Sequence, residues 1–176
     1  MKSVIEGGIL FAGALLIATG AWAQAATNKP VDVKNDWSIF KAANPTECWG
    51  ASSPKKWVAM RGGKEVKANR GPIMLFVTFR PGAGANGEIS FTGGYPFAKN
   101  STAEMELNGK KYELFTQGEW AWPRTPADGS GLLAALKGGS EATITAHSDR
   151  GTETKDTFSL MGFTAAMAEA EKICAK

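Results

Sequence analysis

The sequence predicts a mainly β protein, an antiparallel β-sandwich or barrel-like domain with two short helices of which the second is C-terminal. Turn-forming residues, among them 21 glycines, punctuate the 176-residue chain at short intervals. Between these turns lie short runs rich in Val, Ile, Phe, Thr and Trp, which are typical of strands in antiparallel sheets. Only two segments, both in the second half, have the composition or spacing of helices.

The chain begins with the layout of a secretory signal peptide. Lys2 precedes an apolar run over residues 9–18, and Ala21-Trp22-Ala23 follows as a cleavage pattern. A transmembrane helix needs about 20 apolar residues, and this run is shorter. We expect cleavage after Ala23 or, alternatively, after Ala25, and an uncleaved N-terminal anchor is the competing interpretation.

Removal of residues 1–23 leaves about 150 residues, which is the usual size of one domain. We predict a flexible leader over residues 24–35 and a single β domain over residues 36–176. No internal repeat or low-complexity tract divides this sequence.

Four strands are predicted from short apolar or alternating runs. The most apolar run covers residues 73–79, and we expect it to lie inside a sheet rather than at an edge. Residues 88–92 alternate between apolar and polar, as a half-buried strand does. The other two predicted strands cover residues 37–40 and 57–60.

Two hairpins are predicted in the second half. Residues 103–115 hold two alternating runs joined by Asn108-Gly109, a pair that supplies the positive φ values of a type I′ turn. A second hairpin joins residues 143–146 to residues 157–160 through a turn at residues 148–151.

The first predicted helix covers residues 132–137, with Asp128 or Ser130 as its N-cap and Gly138 as its C-terminal stop. The second helix covers residues 163–174. Its residues at helical spacing form an apolar stripe, so we expect its cysteine to face the core. The stripe comprises Phe163, Met167, Ala170 and Cys174.

The chain holds two cysteines, Cys48 and Cys174. In an exported protein, two cysteines without a Cys-x-x-Cys motif or a neighbouring histidine favour one structural disulfide over reactive thiols. Such a bond would tie the start of the domain to its last helix, and we expect the two Cα atoms within about 7 Å of each other.

The net charge of +3 conceals an asymmetry. Residues 50–80 hold seven basic residues and one acid, whereas residues 101–176 hold eleven acids and eight bases. The basic half is either an ordinary solvated surface or a contact for an anionic surface, such as phosphate-bearing lipid or acidic glycan. The candidate contact residues are Lys55, Lys56, Arg61 and Lys64.

Two motifs that resemble catalytic or cofactor sites are better explained as turns. Residues 82–87 spell G-x-G-x-x-G, but a strand is predicted after them and not the helix that a dinucleotide site requires. His147 is the only histidine, and it precedes Ser148 and Asp149. Side chains adjacent on a strand or turn point apart, so these three residues cannot relay a proton.

Other combinations offer no stronger site, and we predict no catalytic, cofactor-binding or metal-binding residue. One histidine and two distant cysteines give no metal-ligand cluster. Glu104 and Glu106 alternate with apolar residues on a hairpin, so they are most simply explained as side chains of its solvent-exposed face. Asp128 lies far from them in sequence. Trp120 and Trp122 share one face of a strand and could stack on sugar rings, but a core role is more common in a small β domain.

Several segments, in their order and spacing, resemble the invasion-associated locus B family, and the resemblance covers about residues 37–174. These segments are Gly94-Tyr95-Pro96-Phe97, Tyr112-Glu113-Leu114-Phe115-Thr116, Ala121-Trp122, Ser148-Asp149-Arg150-Gly151-Thr152 and Asp156-Thr157-Phe158-Ser159-Leu160-Met161-Gly162-Phe163-Thr164-Ala165-Ala166. The resemblance implies a small exported protein of Gram-negative bacteria that is periplasmic or envelope-associated. The family takes its name from a member linked to host-cell invasion, and it brings no catalytic residue to transfer.

Together these features predict an exported, non-enzymatic binding protein that is periplasmic, envelope-associated or secreted and that engages an unidentified envelope or host-surface partner. No nucleic-acid partner and no transmembrane segment after signal removal are expected. One alternative is an envelope hydrolase acting on a cell-wall or lipid substrate, which a cleft of convergent polar groups at His147 or Glu104 would favour. The other is a chaperone-like assembly partner that uses an exposed sheet edge.

Overall fold

The computed structural model describes residues 29–44 and 46–175. One twelve-stranded antiparallel sheet and two α-helices make up this part of the chain. The signal peptide, both of its predicted cleavage positions and the first five residues of the predicted leader lie outside the described residues.

The strands and helices follow one another in short segments. A 3-10 turn at Pro81–Ala83 separates the sixth strand from the seventh. The elements are β1 (Asp32–Lys34), β2 (Trp37–Ala43), β3 (Thr46–Ser52), β4 (Lys56–Arg61), β5 (Lys64–Glu65), β6 (Met74–Arg80), β7 (Ala85–Thr92), β8 (Thr102–Leu107), β9 (Lys110–Gln117), β10 (Trp120–Pro123), α1 (Pro126–Lys137), β11 (Glu141–His147), β12 (Glu153–Ser159) and α2 (Phe163–Cys174).

The order of strands across the sheet is β1-β2-β3-β6-β7-β10-β9-β8-β11-β12-β4-β5. The β4–β5 hairpin follows β3 in sequence but pairs with β12 at the opposite end of the sheet. β1 and β5 are edges, so the sheet is not closed. The mainly β class and the two helices, the second of them C-terminal, are confirmed, and β6 lies inside the sheet as expected.

One hydrophobic core lies against the inner face of the sheet and draws side chains from both of its halves. Trp37 of β2 is fully buried, and its indole N–H donates to the Ser159 carbonyl of β12 at 3.1 Å, so the two halves meet around the core. Phe91 of β7 packs edge-on against Phe158 of β12, with ring centroids 6.1 Å apart. Burial of each such side chain contributes about 1.5–3 kcal/mol.

Helix α2 covers the core beside β2, β3 and β6. All four residues of its predicted apolar stripe are buried. A Cβ atom on Gly50 would overlap the Met167 methyl group, so this glycine allows the helix to approach β3 closely. The predicted disulfide is present: Cys174 is bonded to Cys48 of β3, and their Cα atoms are 5.5 Å apart.

Helix α1 begins earlier than the sequence predicted. Its N-cap is Thr125, and neither Asp128 nor Ser130 holds that position. Thr125 Oγ1 accepts from the Asp128 amide while the Asp128 carboxylate accepts from the Thr125 amide, which is a capping box. Pro126 at the first helical position suits its fixed φ, and Gly138 ends the helix as predicted.

The predicted type I′ turn between β8 and β9 is confirmed. Asn108 and Gly109 have φ values of 51° and 76°, as a type I′ turn requires. The second predicted hairpin forms between β11 and β12, in a register that pairs Glu141 with Ser159 and His147 with Glu153.

The start of the domain differs from the expectation of a leader over residues 24–35. Residues 32–34 form β1, which pairs with residues 37–39 of β2. Val31 extends this pairing, because its amide donates to the Ile39 carbonyl at 2.7 Å. The patterns also missed β3 and β5.

Candidate functional site

A buried ion pair joins the β5–β6 connection to β12. The side chains of Arg70 and Asp156 are 3% and 0% exposed. The two terminal nitrogens of Arg70 donate to the two carboxylate oxygens of Asp156 at 2.6 and 2.7 Å, and its Nε donates to the Gly93 carbonyl at 2.9 Å. This bidentate contact is among the strongest that arginine makes, and it fixes the chain leaving the edge hairpin against β12.

Two aromatic rings enclose the Arg70 guanidinium. Its central carbon lies 5.3 Å from the ring centroid of Trp57 and 5.0 Å from that of Tyr95, within the range of cation–π attraction. The Tyr95 hydroxyl shares a 2.6 Å hydrogen bond with Thr154. Burial raises the pKa of the Tyr95 phenol. Burial also raises the pKa of the Asp156 carboxyl, and the positive charge of Arg70 acts in the opposite direction.

Arg70, Asp156, Trp57 and Tyr95 form a structural cluster, which we call the buried cluster after its buried ion pair; Trp57 covers this pair from the surface and is 42% exposed. Each of the three guanidinium nitrogens of Arg70 already donates to a protein oxygen, so the side chain is committed to the fold. A backbone hydrogen bond holds the same segment, because the amide of Gly71, the residue after Arg70, donates to the Gly94 carbonyl at 2.8 Å.

A polar cleft of about 400 Å³ opens beside the buried cluster. Three exposed cations from separate segments line it: Arg61 at the end of β4, Lys67 after β5 and Arg150 in the β11–β12 turn. Asp149 and Glu119 line it as well, so its exposed charges have a small positive excess. We call this cavity the basic cleft.

The structure separates the four predicted contact residues. Lys55 is ion-paired with Asp36 and is therefore partly neutralised. Lys56 is exposed at the start of β4. Arg61 and Lys64 lie directly opposite each other at the tip of the β4–β5 hairpin, beside the basic cleft.

The tip of this hairpin concentrates positive charge. Gly62 and Gly63, with φ values of 57° and 75°, form a two-residue turn that places Arg61 and Lys64 on the same face. Arg61 donates twice to the neutral Thr152 hydroxyl, at 2.6 and 3.1 Å. Within the described residues neither cation forms a salt bridge, and like charges placed opposite each other repel.

His147, Ser148 and Asp149 do not assemble into a relay. The His147 side chain is 52% exposed, and its Nε2 lies 3.4 Å from a carboxylate oxygen of Glu153 on the neighbouring strand. Ser148 is buried, and its Oγ accepts from the Thr152 amide at 3.1 Å. Asp149 is exposed in the turn. The segment closes the β11–β12 hairpin, as the sequence predicted.

The candidate carboxylates do not form a common site. Glu104 is ion-paired with Lys111 at 2.8 Å, and Glu106 is exposed. The Asp128 carboxylate belongs to the capping box of α1. Over the part of the chain that the structure describes, no group of three His, Cys, Asp or Glu side chains could hold a metal ion.

Comparison with known proteins found one protein family and one solved structure that this chain resembles. The family model described as invasion associated locus B (IalB) protein matches residues 67–171. The chain belongs to this family. The structure also resembles the crystal structure of invasion associated protein B from Bartonella henselae, with a TM-score of 0.56 and 14% sequence identity over 82% of this chain and 98% of that chain. At that identity the likeness is one of fold, and a comparison with curated proteins found no match.

The segments that carry the resemblance to the IalB family supply two of the four residues of the buried cluster and part of the core around it. The Gly94-Tyr95-Pro96-Phe97 segment supplies Tyr95 and the buried Phe97. The segment that begins at Asp156 supplies that carboxylate and the buried Phe158. These residues form the frame of the basic cleft. Of its three exposed cations, Arg61 and Lys67 lie outside these segments, and Arg150 lies within the segment from Ser148 to Thr152.

The G-x-G-x-x-G segment of residues 82–87 forms a hairpin loop. It ends the 3-10 turn, passes through Gly84 at φ +71° and enters β7 directly. A strand follows these glycines, so the helix N-terminus that would receive a pyrophosphate is missing at this place.

Trp120 and Trp122 lie on the outer face of the sheet, so the core role favoured for them is wrong. Trp120 is 40% exposed, and the residue between them, Ala121, is the one that enters the core. Their rings are 6.3 Å apart with an interplanar angle of 25°. No helix among the described residues is long and apolar enough to cross a membrane.

Proposed function

We propose that this IalB-family protein is exported to the periplasm or cell envelope and acts there as a non-enzymatic binding protein. The apolar start of the chain and the adjoining Ala-x-Ala pattern support export. The Cys48–Cys174 disulfide suits an oxidising compartment. Sequencing of the N-terminus of periplasmic material should find Gln24 or, if the second pattern is used, Ala26; an intact Met1 would contradict export by cleavage.

The binding surface in this proposal is the β4–β5 hairpin tip with the adjoining basic cleft, and its partner is an anionic surface. The observation that carries the proposal is the register of Arg61 and Lys64, which places two cations opposite each other with no carboxylate bound to either among the described residues. An anionic partner would relieve their repulsion, and Lys67 and Arg150 extend the same positive surface.

The test compares two charge-reversal variants of the mature protein. Lys64→Glu/Lys67→Glu reverses the proposed surface and leaves Arg61 bonded to Thr152. Lys110→Glu/Lys111→Glu makes the same change of charge at the β8–β9 turn, which is another two-residue hairpin. Both variants are mixed with vesicles that contain phosphatidylglycerol and with neutral phosphatidylcholine vesicles, and the bound fraction is measured by sedimentation.

We expect the first variant to lose most of its binding to the anionic vesicles and the control variant to retain it, because exposed charges act over about 8–10 Å near physiological ionic strength. Equal binding by both variants would contradict the proposal and would mean that the basic surface is an ordinary solvent-exposed face. The proposal extends to contact with host-cell surfaces, which are also anionic, and the same pair of variants tests that contact.

The hydrolase alternative is tested at the only histidine. His147→Ala should leave every measurable activity unchanged, because Ser148 is buried and bonded to the Thr152 amide, and Asp149 is exposed in the turn. Turnover of a cell-wall or lipid substrate that this change abolishes would make the protein an enzyme. Strand addition receives less support, since the edge strands β1 and β5 have three and two residues.

A further inference from the structure

A run of aromatic rings crosses the outer face of the sheet. Phe76 of β6 lies 5.8 Å from Trp120 of β10, Trp120 lies 6.3 Å from Trp122, and Trp122 lies 5.4 Å from Phe115 of β9, all measured between ring centroids. The last two contacts are stacked, with interplanar angles of 25° and 29°. We call these four residues the aromatic run.

The aromatic run is not required by the core. Its members alternate with the buried residues of their strands, such as Leu75 and Val77 beside Phe76 and Ala121 between the tryptophans. The outer face of an antiparallel sheet normally carries polar side chains where it meets water. Trp120 is exposed and the other three rings are half-buried, so this face carries an apolar patch that a partner could cover.

Three rings of the aromatic run, Phe76, Trp120 and Trp122, line a groove on this face together with polar side chains. The Arg80 guanidinium donates to Glu47 at 3.0 Å and to Glu88 at 3.1 Å, and all three side chains are between 31% and 44% exposed. Ser90, together with Trp49, also lines the groove. The groove thus offers carboxylate acceptors, guanidinium donors and a hydroxyl beside flat apolar rings.

We propose that this groove binds a neutral oligosaccharide chain. The C–H faces of sugar rings are apolar and pack flat on aromatic side chains, while sugar hydroxyls need donors and acceptors at the rim. The charges of the groove match a neutral ligand, since two carboxylates surround one guanidinium and their excess repels phosphate or carboxylate groups. The proposal is independent of the anionic contact, which lies at the β4–β5 hairpin.

The shape of the surface suits several sugar units. A second depression of about 480 Å³ adjoins the groove and shares Trp122 and Glu88 with it. The glycine-rich residues 84–87 line this depression together with Thr125 and Pro126 at the start of α1. An extended chain would pass over Trp122 from one depression to the other.

The test is calorimetric titration of the mature protein with uncharged hexamers of glucose and of N-acetylglucosamine, and with a hexamer of galacturonate as the anionic probe. Trp120→Leu keeps an apolar side chain but removes the ring, and Trp120→Phe restores a ring. Trp57→Leu is the control, because Trp57 is a 42% exposed tryptophan on β4, outside the groove. Thermal unfolding of each variant verifies the fold.

We expect wild-type protein to bind one or both neutral hexamers, Trp120→Leu to bind roughly tenfold more weakly or worse, and Trp120→Phe and Trp57→Leu to stay within about threefold of wild type. Absence of binding to both neutral hexamers at millimolar concentration would overturn the proposal, as would equal binding by wild type and Trp120→Leu or tighter binding of galacturonate. Sedimentation of the free protein as a dimer that Trp120→Leu disperses would also overturn it, since a second copy would then occupy the groove.

Discussion

Removal of the Asp156 carboxylate should lower the free energy of unfolding of this domain far more than removal of any exposed carboxylate. Asp156→Ala leaves the Arg70 guanidinium, whose side chain is 3% exposed, without its counter-charge and without two of its three hydrogen-bond acceptors. The variant therefore tests whether the buried cluster holds the edge hairpin in place.

The expected loss in free energy of unfolding is about 3–5 kcal/mol, the usual cost of breaking a buried ion pair at one partner. The two lost charge-assisted hydrogen bonds give a similar sum, at about 1.5–3 kcal/mol each. For a domain of this size, each kcal/mol lowers the melting temperature by roughly 2–4 °C, so we expect a decrease of about 10 °C.

Urea unfolding and calorimetry of the mature protein, with its disulfide intact, measure this loss. Glu113→Ala is the control, because it breaks a pair with Arg124 in which both side chains are more than 60% exposed, and such pairs contribute about 0–1 kcal/mol. The double variant Arg70→Met/Asp156→Leu should recover much of the lost stability, since it removes the unpaired charge. A loss below about 1 kcal/mol for Asp156→Ala, or a double variant no better than the single one, would refute the reasoning.

Three further outcomes follow from the structure. Cys174→Ser should lower the melting temperature markedly, because the bond to Cys48 closes a loop with a sequence separation of 126 that contributes about 4–5 kcal/mol in the chain-entropy model; an unchanged melting temperature would contradict this. Gly109→Val should lower the urea midpoint by an equivalent of about 1–3 kcal/mol, since valine resists the φ of 76° there. In a Tyr112→Phe background, absorbance at alkaline pH reports Tyr95 alone, and its raised pKa predicts ionisation above the ordinary value of about 10. Because the folded state favours the neutral phenol, this stabilising effect is complete below that ordinary value and is lost as pH rises through the folded pKa.

Features set by neighbouring residues could be predicted from the sequence. The Asn108-Gly109 turn, the bounds of α2 and the inward position of Cys174 depend on local φ preferences and helical spacing. The start of α1 was missed because Pro126 and the glycines at 129 and 131 look like loop residues, although proline and threonine together form a good helix start. β1 was missed because a three-residue edge strand exists only through its pairing with β2.

The buried cluster depends on contacts between distant parts of the chain. Arg70 and Asp156 are 86 residues apart, and each resembles an ordinary surface charge in isolation. One signal could have indicated the site: Asp156 is in phase with Phe158 on β12, so the alternation places a carboxylate on the core face, where it needs a cation. The aromatic run was hidden for a different reason, since the wholly apolar run around Phe76 does not show which side of β6 faces the core.

The most direct test of the proposed function is the salt dependence of binding to phosphatidylglycerol vesicles. The screening length falls from about 10 Å at 0.1 M salt to about 3 Å at 1 M, so a contact made by Lys64, Lys67 and Arg150 must weaken across that range. We predict that wild-type protein and the Lys110→Glu/Lys111→Glu control lose binding steeply as salt is added, and that Lys64→Glu/Lys67→Glu binds weakly throughout. Binding by the wild type that does not change with salt, or that the Lys64→Glu/Lys67→Glu variant retains, would contradict an anionic contact at the β4–β5 hairpin.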